Sequence, residues 1–482
     1  MKDRKKAALA AFLCVGLLAS ACTAPSAPEP EAFSGPVVLV TMADLRADLV
    51  GSLGGEPGWT PALDSLARVA DWKVRAVSPS SSPVPAMLSL ATGTDPWQHG
   101  VLSHLFHERA NELPTLAQMM GEAGFATRFF GPATRDLGAF GPYDGFDTAT
   151  RISEEEALRD HLVSLDPAAA TFTWIHLPAV AFPYRDRRDQ LPNLPAPTGR
   201  DTVDRRELLQ YADPSRDLPD DLARDAALLY RHEIAAFDDW LGRQLESLHQ
   251  SGAFDETMVI FTALHGTEFG EHRQALFAQN LGRESIEVPL LVKLPRTAIR
   301  GDLDEGPVEI ARLWSTLAEL VGGRVLPVHL PSLFRRHSQP ALSSLFRHGS
   351  ANRFSVVSRR GDRTFQLSVE IPYAAPEPDF FAAQLVEAGW KNYPIGTSAV
   401  RLRQRLDRRF AATPPWLGSE EPRTTLEEWT TSGTRPVEDK ELKDELTKIL
   451  VQRWGRFSDL SRSPKSEYEL RALSATPTEP RT

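Results

Sequence analysis

Two groups of side chains between residues 78 and 107 have types and spacing that chemistry could use. One is a run of serines directly before a proline: Ser78, Ser80, Ser81, Ser82 and Pro83. The other is a set of closely spaced histidines: His99, His104 and His107. A serine hydroxyl can serve as a nucleophile, and an imidazole can bind a metal. Serines beside a proline are also typical of turns and helix caps, so these groups alone do not establish a site.

A cysteine near the N-terminus has the setting of a lipid attachment site. Positive residues between Lys2 and Lys6 precede an apolar run, Ala7–Leu18, that is too short to span a bilayer. Small residues, Ala19-Ser20-Ala21, then lead to Cys22. This arrangement resembles a bacterial lipoprotein signal, although Ala19 stands where a larger aliphatic residue is usual. The alternative is an ordinary secretory signal that is cleaved after the small residues.

The cysteine count favours lipidation over plain secretion. Cys14, the only other cysteine, lies in the apolar run and would be removed with it. The mature chain would begin with a single cysteine, could form no internal disulfide, and would continue into a Pro-rich tether. We therefore predict a signal peptide at 1–21 and a lipidated Cys22 with its tether at 22–35. The protein is expected in the bacterial cell envelope, anchored in the outer membrane at its periplasmic or surface face.

The bulk composition is that of a soluble globular protein. The 482 residues are 41% hydrophobic and 24% charged, which is enough apolar material for a large core. The net charge of −10 is spread without a long acidic run. Nucleic acid is not expected as a partner, because phosphate binding needs a concentrated basic face.

Short apolar runs alternate with helical patterns over residues 36–345. Strands are predicted at Val37–Thr41, Phe125–Phe130, Thr171–Leu177, Met258–Thr262 and Val288–Leu294, and helices at 62–70, 113–124 and 220–250. Such alternation is typical of an α/β fold with a large, mostly parallel sheet between layers of helices. Polar residues 184–223 predict a surface excursion.

The C-terminal third differs in composition from the α/β region. The composition changes between residues 331 and 350, and a hairpin is predicted around Gly361-Asp362. An amphipathic helix follows over Lys440–Trp454. We therefore predict a small α+β subdomain over 350–455. Residues 456–482 are polar and are expected to be disordered.

The order of several segments resembles the sulfatases of the alkaline phosphatase superfamily. The matching segments are Val37–Asp48, Thr60–Ala67, Ala86–Gly93, Pro96–Val101, Leu113–Thr127, Gly145–Asp147, Tyr230–Leu241, Val259–Gly266 with Gly270–His272, and Ser285–Val292. Any one segment is a weak signal, whereas the series in this order and spacing is a strong one. The resemblance covers residues 36–295 and implies the sulfatase fold and an ancestral sulfate ester hydrolase.

The resemblance implies where the nucleophile of such an enzyme should stand. In the family, a Cys or Ser converted to formylglycine opens a C/S-x-P-S-R motif at a helix N-terminus, where free N–H groups favour an anion. Counting back from Thr92-Gly93 places Pro83 at this position. Pro85 keeps the proline of the motif, whereas Ala86 and Met87 replace its Ser and Arg. Proline has no side-chain atom that could attack sulfur or phosphorus.

The positions that the resemblance assigns to metal binding and to acid–base chemistry have also changed. Ala43 replaces one aspartate of the first metal motif, where Asp44 remains, and Leu264 replaces the aspartate before His265. Ala181 stands at the position of an acid–base histidine. The two ligand-type residues that remain, Asp44 and His265 (the remnant pair), would hold Ca²⁺ poorly, because this ion takes about six oxygen ligands or more. We expect no cofactor, and Ca²⁺ only if a divergent site is active.

Two functions remain open at this level. The favoured one is a non-catalytic, sulfatase-like envelope lipoprotein that binds or scaffolds, with a sulfated or phosphorylated glycan or a protein as its partner besides the membrane. The alternative is an active hydrolase of sulfate or phosphate esters that uses Asp44, His265 and either Ser81 or Ser82. The alternative, purely structural interpretations are that Asp44 caps a helix or pairs with Arg46, and that His265 is a hydrogen-bonded strand-end residue.

Overall fold

A computed structural model of the chain describes residues 32–102, 113–132, 144–177, 183–211, 216–296, 307–326, 329–334, 340–346, 351–372, 423–431 and 433–461. Backbone contacts divide the chain into residues 1–33 and 34–482, and the elements below all belong to the second unit. None of the helices in the described ranges combines the length and the hydrophobicity that crossing a bilayer requires. Cys22 lies outside these ranges.

Strands and helices alternate over the first two thirds of the chain. The strands are β1 (Val37–Asp44), β2 (Trp72–Val77), β3 (Ala126–Gly131), β4 (Thr148–Arg151), β5 (Thr171–Leu177), β6 (Tyr184–Arg185), β7 (Thr202–Val203), β8 (Met258–His265), β9 (Glu287–Lys293) and β10 (Val308–Glu309). The helices are α1 (Pro61–Val69), α2 (Pro83–Thr92), α3 (Pro96–His99), α4 (Leu116–Glu122), α5 (Glu155–Val163), α6 (Arg205–Leu209), α7 (Asp220–Gln250), α8 (Arg283–Ile286) and α9 (Leu313–Val321). The predicted strands and long helices all appear, with ends that shift by a few residues.

One sheet organises this region, with the strand order β10-β2-β9-β8-β1-β5-β3-β4. β1 lies between β5 and β8 and is parallel to both, while β9 runs antiparallel to β2 and β8. Every residue of β1, β8 and β9 is buried, as expected for strands that helices cover on both faces. The predicted large, mostly parallel α/β sheet is confirmed. Its parallel strands bring the ends of β1, β5 and β8 to one edge.

A second sheet forms the C-terminal part. It is antiparallel and consists of β11 (Ala341–Phe346), β12 (Ala351–Arg360), β13 (Arg363–Pro372), β14 (Arg423–Thr430) and β15 (Gly433–Pro436), followed by α10 (Lys440–Ser461). The predicted hairpin turns at Gly361, whose φ is +63°. Its core includes Phe354, Leu367 and Leu446 together with Trp97 from α3. The two sheets therefore share packed side chains.

Three boundaries differ from the sequence expectations. β11 begins at Ala341 and pairs with β12, so the second sheet starts before residue 345. α10 continues to Ser461, so residues 456–461 are helical, and residues 462–482 lie outside the described ranges. The polar stretch 184–223 is not wholly a surface excursion, because Tyr184, Val203 and Leu208 are fully buried. Its composition is polar, but Tyr184 packs against Tyr230 and Phe269 beside the end of β1.

Candidate functional site

Asp44 and His265 stand side by side at the edge of the main sheet. They are the last residues of β1 and β8, and the strand register pairs them directly. Asp44 Oδ1 and His265 Nδ1 are 3.9 Å apart, and neither residue has exposed surface. Ligand sites of parallel sheets lie at this end of the strands. The structure thus brings the two remnant metal-ligand candidates together.

Asp44 is enclosed by aromatic side chains. The hydroxyl of Tyr230 on α7 donates to Asp44 Oδ1 over 3.2 Å, and the Tyr184 ring packs 5.5 Å from the Tyr230 ring. Both tyrosines also contact the ring of Phe269. Burial raises the pKa of Asp44 to about 7, although the Tyr230 hydrogen bond and the charge of Arg46 oppose the shift. Asp44 Oδ2 has no hydrogen-bond partner, so half of this carboxyl group is unsatisfied.

Arg46 is committed to other carboxylates. Its guanidinium group donates to Asp48 over 2.9 and 2.8 Å and to Glu271 over 2.5 Å. Asp44 also caps no helix, since it ends a strand and Arg46 is the residue before the short 3₁₀ turn Ala47–Leu49. Neither helix capping nor pairing with Arg46 therefore describes the hydrogen bonds of Asp44. Its one hydrogen-bond donor is Tyr230, which sequence reasoning did not single out.

His265 is a neutral, strand-end imidazole. Its Nδ1 donates to the carbonyl oxygen of Gly266 over 2.8 Å, and the Phe277 ring lies 4.6 Å away. Burial lowers the pKa of His265 to about 4, so at neutral pH its 3.9 Å separation from Asp44 is no ion pair. Nε2 has no partner. The hydrogen-bonded strand-end interpretation matches these contacts.

His176 is a third titratable side chain at this edge, and the sequence analysis passed over it. It lies near the end of β5, opposite Thr41 in the register, and its Nδ1 is 2.9 Å from Thr41 Oγ1. Trp174 Nε1 donates to the same hydroxyl over 2.8 Å. Burial lowers the pKa of His176 to about 4, and nearby His265 acts in the same direction. A histidine at the end of a predicted parallel strand was the available signal. Ala181 lies outside the described residues.

The predicted nucleophile position opens a helix. Pro83 is the first residue of α2 and follows Ser82, the N-cap. Proline fits this place, because the first helical N–H has no partner within the helix. The replaced motif residues Ala86 and Met87 are buried farther along α2. The structure offers no nucleophilic atom at residue 83.

The neighbouring serines divide into two kinds. Ser78 Oγ donates to the carbonyl oxygens of Ser80 and Leu264, and Ser80 Oγ accepts from the N–H of Ser82, so both form the turn. The hydroxyls of Ser81 and Ser82 are buried and have no partner. The Ser81 carbonyl accepts from the N–H of Ala278, next to the phenylalanine that covers His265. This hydrogen bond places the Ser81 backbone beside the segment that covers His265.

His99 is also an internal structural residue. Its Nε2 is 3.0 Å from Ser89 Oγ, and its Nδ1 accepts from the N–H of Val101. Both side chains are fully buried. His104 and His107 lie outside the described residues. The serine–histidine contact ties α2 to α3 away from solvent.

The residues at the sheet edge do not fit the divalent cation of the sulfatase family. The free ligand atoms are one carboxylate oxygen of Asp44 and one ring nitrogen of His265. Ala43 and Leu264 have no ligand atom, and Ca²⁺ takes six to eight oxygens. In the described ranges, only Glu268, His272 and Glu284 bring three His, Cys, Asp or Glu ligand atoms within 4.8 Å of one another. That group does not include Asp44 or His265.

Comparisons with known proteins show similarity to the sulfatases and their superfamily. Residues 36–163 match the family model of the sulfatases. The multifunctional alkaline phosphatase superfamily protein PehA of Trinickia caryophylli is 34% identical over 91 residues, which is 19% of this chain and 18% of that protein. Arylsulfatase K of Xenopus laevis is 30% identical over 102 residues, 21% of this chain and 19% of that protein. The matched segments span about a fifth of these relatives.

Solved structures extend the likeness to the fold of most of the chain. A Bacteroides thetaiotaomicron protein from work on glycosaminoglycan metabolism gives a TM-score of 0.62 at 16% identity, covering 91% of this chain and 99% of that one. The phosphonate monoester hydrolase of Agrobacterium radiobacter gives 0.50 at 18% identity, covering 84% and 100%. The fold is thus that of the sulfatases. The family-model match over residues 36–163 and the local similarity to PehA agree with the resemblance that the segments predicted.

Proposed function

We propose that the protein is a non-catalytic member of its superfamily, a sulfatase-like envelope lipoprotein that binds or scaffolds a partner. The observation that carries this proposal is the start of α2. A proline ring occupies the nucleophile position, and the neighbouring residues Ser81 and Ser82, whose hydroxyls have no partner, are 0% and 2% exposed. A hydroxyl without access to solvent cannot meet an ester in this conformation.

The electrostatics of the sheet edge support the same proposal. Cleavage of a sulfate or phosphate ester develops negative charge that a cation or fixed donors must stabilise. Here Asp44 and His265 have no further metal-ligand side chains at positions 43 and 264. Aromatic rings pack around the pair: Tyr184, Tyr230, Phe269 and Phe277. The imidazole is neutral and its pKa is low, which makes it a weak base. We therefore propose that the protein has lost catalytic activity and has retained the fold.

The mode of binding follows from the closed edge. A sulfated or phosphorylated glycan would need an open, positively charged cleft, whereas Asp44 at the end of β1 is buried beside aromatic rings. We therefore favour a protein partner that is engaged through the outer surface. Capture from membranes with the tagged chain, followed by glycan binding measurements, tests this choice, and saturable binding of a sulfated glycan would reverse it.

The unpartnered hydroxyls of Ser81 and Ser82 favour a second candidate, a divergent ester hydrolase. Aryl sulfate, phosphate ester and phosphonate ester substrates, each with and without Ca²⁺, separate the two functions. We expect no turnover above that of the Ser81→Ala/Ser82→Ala double variant. Metal-dependent hydrolysis that disappears in the double variant would replace our proposal with the hydrolase.

Lipid anchoring is tested independently of catalysis. Cys22→Ala is expected to move the protein from the membrane fraction to the soluble fraction and to abolish labelling by a radioactive fatty acid. Cys14→Ala is the matched control, because that residue lies in the predicted signal, and it should stay anchored. Equal labelling of the two variants would contradict attachment at Cys22.

A further inference from the structure

A separate group of ligand-type side chains lies just beyond the sheet edge. Glu268 follows β8, His272 lies four residues later, and Glu284 is in α8. His272 Nε2 is 2.9 Å from Glu284 Oε2 and 3.9 Å from Glu268 Oε1. All three ligand atoms lie within 4.8 Å of one another. Two carboxylates and one imidazole thus converge, and His272 and Glu284 are directly hydrogen-bonded to each other.

We propose that Glu268, His272 and Glu284 form a zinc site. Zinc binds imidazole nitrogen and carboxylate oxygen at about 2.0–2.2 Å, and it accepts three protein ligands with solvent as the fourth. A tetrahedron of such bonds separates ligand atoms by about 3.3 Å, and the observed 2.9 and 3.9 Å lie on either side of this value. Small side-chain movements would therefore complete the geometry.

Hydrogen bonds orient the Glu268 carboxylate in the way that outer groups orient a metal ligand. It has no exposed surface, and its hydrogen-bond donors are neutral: Asn280 Nδ2 at 2.7 Å and Ser285 Oγ at 3.3 Å. Asn280 is itself oriented by Gln274 and by the N–H of Gly282. Outer groups of this kind fix ligand orientation in metal sites. Glu268 has a cationic neighbour in His272, whose Nε2 lies 3.9 Å from Glu268 Oε1, and a metal ion bound to that imidazole would replace the positive charge of its proton.

The backbone at Gly282 leaves room for the group. A Cβ atom at this position would lie 2.5 Å from Glu268 Oε1 and 2.5 Å from His272 Nε2, closer than real Cβ atoms come. The side chains of His272 and Glu284 are 27% and 10% exposed, so the imidazole side is open to solvent. An ion could enter there, and a water molecule could supply the fourth ligand. The site is distinct from the remnant pair Asp44 and His265.

Titration of the metal-free full-length protein with zinc chloride tests the proposal. Calorimetry at pH 7.5 is expected to give one site with a micromolar or tighter dissociation constant. The affinity should rise with pH, because the imidazole must release its proton on binding. Glu284→Gln and His272→Gln should each weaken binding at least tenfold. Glu271→Gln is the matched control, since this carboxylate is adjacent in sequence but bonds to Arg46, and it should stay within about twofold.

Two results would overturn the zinc site. One is the absence of saturable binding to the wild type, and the other is unchanged affinity in both ligand variants. Circular dichroism shows whether a variant has folded. If neither ligand variant folds, anomalous diffraction from wild-type crystals soaked in zinc decides: a peak between the three side chains supports the site, and a peak elsewhere or no peak removes it.

Discussion

Arg453 and Asp95 form a bidentate ion pair across 358 residues of sequence. Arg453 Nε and Nη2 on α10 donate to Asp95 Oδ2 and Oδ1 over 2.8 and 2.7 Å, and Nη2 also contacts Glu309 over 2.9 Å. Asp95 and Glu309 are 2% and 4% exposed. One guanidinium therefore satisfies two buried carboxylates of the α/β region and attaches the C-terminal helix to it.

Arg453→Met is expected to destabilise the protein by about 3–5 kcal/mol, because it leaves both carboxylates buried without their cation. Urea unfolding at pH 7.5 measures this. Arg360→Met is the matched control, since Arg360 pairs with Glu445 of the same helix where both side chains are about half exposed, and it should cost less than about 1 kcal/mol. Equal decreases in the free energy of unfolding in the two variants would contradict the attachment of α10 through Arg453.

The protonation of Asp44 makes stability depend on pH in a predictable direction. The folded-state pKa is about 7, against 3.8 for an exposed aspartate. Between these values the folded chain keeps a proton that the unfolded chain has released, so stability falls as pH rises through this window. Asp44→Asn cannot titrate and should gain stability relative to the wild type as pH increases from 4 to 8, by up to about 3–4 kcal/mol.

Urea midpoints at pH 4.5, 6 and 8 measure that difference. Asp239→Asn, at a surface carboxylate that pairs with Arg243 on α7, serves as the control. A constant difference between Asp44→Asn and the wild type at all three pH values would contradict the proposed protonation.

Thr41 links two buried polar groups of β5. Thr41→Val removes the hydroxyl that accepts from Trp174 Nε1 and bonds His176 Nδ1. Each buried group left without a partner costs about 1–3 kcal/mol, so we expect a loss of a few kcal/mol in thermal or urea unfolding. Thr41→Ser keeps the hydroxyl and should recover most of the stability. If Thr41→Val were as stable as the wild type, the hydroxyl would contribute no net stability and this role of Thr41 would be contradicted.

Gly93 ends α2 against the ring of Trp314. Its φ is +65°, and an added Cβ would lie 2.7 Å from Trp314 Cβ. Gly93→Ala should therefore combine the left-handed strain of about 1–2 kcal/mol with an overpacking cost of about 1–3 kcal/mol. Gly252→Ala has a similar φ of +74° but open space around the new atom, so it should show the strain alone. Equal unfolding free energies for the two variants would refute the clash with Trp314.

Much of the α/β region was predictable because its signals are local. β1, β5 and β8 follow from continuous apolar runs, and α7 follows from an apolar stripe with a period of 3.6 residues. The end of the C-terminal helix was missed because polar residues such as Ser458 continue a helix that the composition predicts to end. Tyr184 was missed because one aromatic residue in a polar stretch gives no periodic signal.

The sequence by itself located the main strands and placed a proline, Pro83, where the resemblance to the sulfatases expects the nucleophile, since these are matters of residue identity and spacing. Only the tertiary structure decided which atoms meet. Strand pairing places Asp44 beside His265, and α7 brings Tyr230 onto that carboxyl group from 186 residues away. Hydrogen bonds and burial depend on distances across the fold, which no local pattern of residues contains.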